Sequence, residues 1–98
     1  MTFILNFTKS AEEDLRRLKH TPFLEKRYKA VVKALLFLQQ NPRHPGLQTH
    51  SYHSLKGPQG EKVFEAYAEQ NTSAAYRIFF CYGLTKDTII IIAIIPHP

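Results

Sequence analysis

The chain has 98 residues, 44 % of them hydrophobic, and a formal net charge of +5. That length allows one domain, residues 1–98, around one core, and the apolar share excludes a disordered chain. The lone Cys81 excludes an intramolecular disulfide and fits a reducing compartment.

No basic stretch followed by an apolar one opens the chain, so no secretion signal is expected. The longest apolar run, Ile89 to Ile95, falls far short of the roughly 20 residues that cross a bilayer as a helix. These features predict a soluble, cytoplasmic protein with no membrane partner. Charge is unevenly spread. Between Leu15 and Lys56 nine Lys or Arg face the single acid Glu25, whereas the rest of the chain carries four basic residues and seven acids. Such a field attracts a polyanion, although a solvated helix face would also carry it.

In chain order, Phe3 to Thr8 alternates with period two and predicts a strand. Ser10 with Glu13 reads as a capping box, and the acids Glu12 to Asp14 suit a helix start. Ala11, Leu15 and Leu18 then share one helical face. Thr21-Pro22 breaks this helix and can open a second. Tyr28, Val31, Val32, Leu35, Leu36 and Leu38 form a broad apolar stripe ending near Gln40. Asn41 to Gly46 is a turn-rich connection, and Leu47 to Ser54 reads as a polar loop with some extended character. Strands are predicted over Glu61–Glu69, with one wet face, over Ala75–Tyr82, and over Thr88–Ile95, apolar on both faces and therefore central. The sum is an α+β fold of order β-α-α-β-β-β, a helical hairpin on an antiparallel sheet.

Arg77 is the leading functional candidate. It interrupts an apolar strand, where a guanidinium is costly without a partner. That partner is either an acid on the adjacent strand, Glu65 or Glu69, or a phosphate held by the rigid donor fork. Lys56 and Lys62 flank the turn Gly57-Pro58-Gln59-Gly60, which can approach a phosphate but lacks the spacing of a nucleotide-binding loop. Arg43 lies in the basic stretch ahead of them. His44, His50 and His53 lack the further ligands a zinc set needs, and no metal is expected. Cys81 reads as packing. His97 follows the last strand, at a sheet end, where an imidazole can move a proton to or from a ribose hydroxyl.

Leu55-Lys56-Gly57, Val63-Phe64-Glu65-Ala66-Tyr67 and Tyr76-Arg77-Ile78-Phe79-Phe80, followed by an apolar strand, resemble the RelE/ParE toxin superfamily. Phe7 with Ala11, Asp14 and Leu15 is similar to that family's first strand and helix. The resemblance covers nearly the whole chain and implies a toxin of a type II toxin–antitoxin system, bound by a cognate antitoxin protein. It further implies a ribosome-dependent endonuclease that cuts mRNA in the A site without a metal or other cofactor, through basic residues on the sheet. On that resemblance Arg77 stabilises the phosphate, Lys56 contacts RNA, and His97 lies where relatives carry an acid/base residue. Where relatives often read Glu-x-Arg, this chain reads Glu65-Ala66-Tyr67, so Tyr67 becomes a candidate to stack on a base. Inhibition of DNA gyrase, or antitoxin binding without catalysis, are the other activities this fold can carry. The oligomeric state of the free chain is open.

Overall fold

A computed structural model describes residues 2–97. Strand β1 (Ile4–Phe7) leads into helix α1 (Lys9–Lys19), a short 3-10 turn, and helix α2 (Glu25–Gln40). A second 3-10 turn precedes β2 (His50–Lys56), β3 (Lys62–Tyr67), β4 (Tyr76–Tyr82) and β5 (Thr88–Pro96). The sheet order is β1-β5-β4-β3-β2. The predicted α+β class and the helical hairpin hold. The sheet has one more strand than the sequence predicts, and it is mixed: β2 to β5 pair antiparallel, while β1 lies parallel to β5.

The additional strand is β2, from the segment read as a loop. His50-Ser51-Tyr52-His53-Ser54-Leu55-Lys56 has no apolar run because an edge strand is held by main-chain pairing to one neighbour and keeps both faces partly wet. The start of α1 also differs. Thr8, read as the end of the strand, is the N-cap: its hydroxyl oxygen accepts from Ala11 N at 3.1 Å and donates to the Ile92 carbonyl at 3.0 Å. Ser10 and Glu13 lie exposed inside the helix, and no capping box forms.

One face of the sheet receives both helices. Ala11 and Leu18 of α1 and Val31, Ala34, Leu35 and Leu38 of α2 pack against Ala66, Ile78, Phe80, Ile89, Ile91 and Ile94. Ala34 turns toward the sheet, whereas Leu36 of the expected stripe is 53 % exposed. β5 runs on past the end of β1, so its outer main-chain groups need other partners. Thr8 takes the Ile92 carbonyl, and the buried Asp14 carboxylate accepts from Ile94 N at 3.0 Å. Asp14→Ala would leave that buried N–H unpaired, an expected loss of about 1–3 kcal/mol. Asp14→Asn keeps an acceptor oxygen and should cost less. Thermal unfolding of both variants checks this, and an alanine variant as stable as wild type would remove the role given to Asp14.

Candidate functional site

The sheet's second face bears the alternate residues Val63, Glu65 and Tyr67 of β3 and Arg77, Phe79 and Cys81 of β4. Phe79 and Cys81 are fully buried although no helix lies on them. The Tyr52 ring packs on Phe79, with centroids 4.8 Å apart, and the β2–β3 turn folds over Cys81. A side chain at Gly57 would displace the Glu61 carboxylate and come within 3.1 Å of Cys81 Sγ, so the turn packs closely here. Burial pushes the Cys81 thiol above its usual range, and the Glu61 charge acts in the same direction. That agrees with a packing role.

Glu65 is the centre of this face. Its side chain is 1 % exposed, yet three groups converge on the carboxylate. His50 Nε2 lies 2.8 Å from Oε1, and His97 Nδ1 lies 2.7 Å from Oε2. Arg77 Nε lies 3.6 Å from Oε2, close enough for charge attraction and too far for a hydrogen bond. This nitrogen is buried and finds no acceptor among the described residues, while Nη1 donates to the Glu69 carbonyl at 2.7 Å. The Arg77 cation sits over the Tyr67 ring, with 3.7 Å from Cζ to the ring centroid. One face of that ring is therefore occupied by the guanidinium instead of being open to a base.

A β-bulge brings His97 here. Phe79 pairs with Ala93 but Phe80 pairs with Ile91, so Ile92 is an extra residue in β5. Before it Ile89 and Ile91 face the helices; after it Ile94 does, and Ala93 and Ile95 turn to the other face opposite Phe79 and Arg77. His97 continues that alternation, its N–H donating to the Ala75 carbonyl at 2.9 Å. With Nδ1 on Glu65, its Nε2 is the ring nitrogen that Glu65 does not engage, and the side chain is 48 % exposed.

His50 is held from both sides. Gln48 adopts a left-handed conformation, φ 48°, and its carbonyl lies 2.9 Å from His50 Nδ1. A carbonyl only accepts, so Nδ1 is the donor in this contact. Glu69, the other acid expected near Arg77, is engaged elsewhere: it accepts from Tyr76 N at 3.0 Å and from Arg27 Nη1 at 3.2 Å. Two histidines and a carboxylate have the chemistry of metal ligands. Here the rings address different oxygens and a guanidinium faces the same carboxylate, and no group of three such residues among the described ones has the geometry of a metal site.

Of the residues singled out in the sequence, Arg77, His97 and Tyr67 therefore meet on one face. Lys56 and Lys62 do not join them. They are direct partners across the β2–β3 ladder, and Lys62 alternates with Glu65 onto the helix side, its Nζ 5.5 Å from the Phe64 ring centroid. Arg43 also lies apart, in a pocket with Phe64 and Tyr82. Sequence reasoning missed Glu65 as the hub and His50 as its partner. The available signal was an acid alternating with apolar residues in a strand, two positions before Tyr67.

A helical hairpin on one face of a β1-β5-β4-β3-β2 sheet is the RelE-like fold. The chain superimposes on a YoeB/ParE toxin from Agrobacterium tumefaciens with a TM-score of 0.70 and 13 % identity, covering 97 % of this chain and 99 % of the other. It is similar to a chain of the archaeal RelE–RelB complex from Pyrococcus horikoshii OT3, with a TM-score of 0.64, 17 % identity, and coverage of 98 % and 96 %. It is also similar to a chain of the toxin–antitoxin complex RelBE2 from Mycobacterium tuberculosis, with a TM-score of 0.60, 20 % identity, and coverage of 99 % and 100 %. No family model matches the sequence, and no curated protein does.

Proposed function

We propose that the chain is the toxin of a type II toxin–antitoxin system and that it cuts mRNA on the ribosome. The observation that carries this reading is the Glu65–His97 pair beside Arg77: a buried carboxylate orients a half-exposed imidazole next to a largely buried cation. In this reading His97 Nε2 accepts the proton of a ribose 2′-hydroxyl. The 2′-oxygen then attacks the adjoining phosphorus to give a 2′,3′-cyclic phosphate, the P–O5′ bond breaks, and the 5′-oxygen takes a proton from water, the imidazolium later returning its own to solvent. The Glu65 charge favours the imidazolium formed in the first step. Arg77 offers its guanidinium to the phosphate oxygens as negative charge accumulates there. Lys56, Lys62 and Arg43 serve RNA attraction rather than chemistry, and Tyr67 keeps water from one side of Arg77.

The neighbours solved with RelB or as RelBE2 support a protein antitoxin as the natural partner. Induced expression in a bacterial host, with primer extension on a translated reporter mRNA, tests the reading. Wild type should cut within the translated frame. Arg77→Lys, which keeps the charge but loses the fork of donors, should cut much less. Growth arrest without cuts would instead support inhibition of DNA gyrase, and no arrest would support antitoxin binding alone.

A further inference from the structure

The two lysines set apart from the site share a feature of their own. Lys56 and Lys62 are directly opposed in the ladder, an arrangement of like charges that destabilises a strand pair. Neither they nor Arg43 form an ion pair among the described residues. The neighbouring acid, Glu61, is turned into the β2–β3 turn, where it accepts from Gln59 N at 2.7 Å. Alongside lies exposed aromatic surface. Phe64 stacks on the buried Phe80 with centroids 5.7 Å apart, Tyr82 meets Phe64 edge-on at 5.6 Å, and Tyr82 is 41 % exposed. A pocket of about 440 Å³ opens beside these rings, walled by Arg43, His44, Thr49, His50, Phe64 and Tyr82, with no acid in its lining.

We propose that this pocket is a second RNA-binding site, at the β2 edge of the sheet, sharing only His50 with the Glu65–Arg77 cluster. An unpaired nucleobase packs against Tyr82 and Phe64, and the flanking phosphates lie on Lys62 and Lys56 at one side and Arg43 at the other. The phosphates relieve the repulsion between the paired lysines. Volume and aromatic content suit a single nucleotide. Single-stranded RNA is the occupant because a duplex keeps its bases stacked internally and offers no ring to the pocket. The choice of RNA rests on the function proposed above, but binding here needs no cleavage, so loss of binding and loss of cutting are told apart by the two assays.

Fluorescence anisotropy with a labelled single-stranded RNA of about ten nucleotides tests it, using the full chain. Tyr82→Ala should weaken binding by roughly 5- to 150-fold, the range for one stacked base. Because Tyr82 also touches Phe64 and Phe80, the exposed Lys62→Ala and Arg43→Ala serve as the second pair of variants. Each should weaken binding and lower the slope of log affinity against log salt by about 0.7. Unchanged affinity in Lys62→Ala and Arg43→Ala would overturn the proposal. So would an equally tight duplex RNA, since charge alone would then account for binding.

Discussion

His97→Ala is expected to lower the rate of mRNA cleavage by programmed ribosomes about 10²- to 10⁴-fold, the usual loss when a positioned proton carrier is removed. The imidazole is held by one hydrogen bond to a buried carboxylate and by the main-chain bond of residue 97 to Ala75, which the substitution leaves in place. Its side chain is about half exposed, so stability should change by no more than about 1 kcal/mol. Quench-flow cleavage assays beside thermal unfolding would separate the two effects. A variant that unfolds like wild type and cuts like wild type would retire His97 as the acid/base, leaving Arg77 and Glu65 with an electrostatic role at most.

Glu65→Ala should be far more damaging to the folded state, by about 3–5 kcal/mol. It removes the negative charge that faces Arg77 in a place where each side chain is almost wholly out of water. The guanidinium keeps its bond to the Glu69 carbonyl, but a carbonyl dipole does not replace a counter-charge. For a domain of this size the midpoint of thermal unfolding should fall by more than about 12 °C. Converting both partners at once, Glu65→Leu with Arg77→Met, should restore most of that loss, because an apolar pair has no charge to desolvate. Cleavage should stay absent. A double variant as unstable as Glu65→Ala would show that the charge pair is not what holds this face together.

The sequence carried the helical hairpin and three of the four later segments because their signals are local: the period of Val31, Leu35 and Leu38, the proline at 22, the unbroken apolar run from Ile89. Three features depend on partners distant in sequence. β2 has no pattern of its own and becomes a strand only because β3 offers an unpaired edge. Thr8 outcompetes the Ser10–Glu13 box because its hydroxyl also reaches the Ile92 carbonyl, 84 residues away. The bulge at Ile92 is invisible within a run of isoleucines, yet it decides which face receives His97. Arg77 was legible as an oddity in an apolar strand. A counter-charge at Glu65 or Glu69 was legible with it; that Glu65 is the one, and anchors two histidines, follows only from the strand register and from that bulge.

The place of β5 in the sheet has a consequence for the order in which the molecule can assemble during translation. β1 is made first and β4 much later, and neither touches the other: β5 lies between them and supplies both ladders. Until the segment through Ile94 has left the ribosomal tunnel, β1 and its helices have no main-chain link to the remaining strands, and Asp14 has no amide to bind. A nascent chain lacking that strand also lacks His97. The Glu65–His97 contact therefore cannot form until β5 has been made and paired.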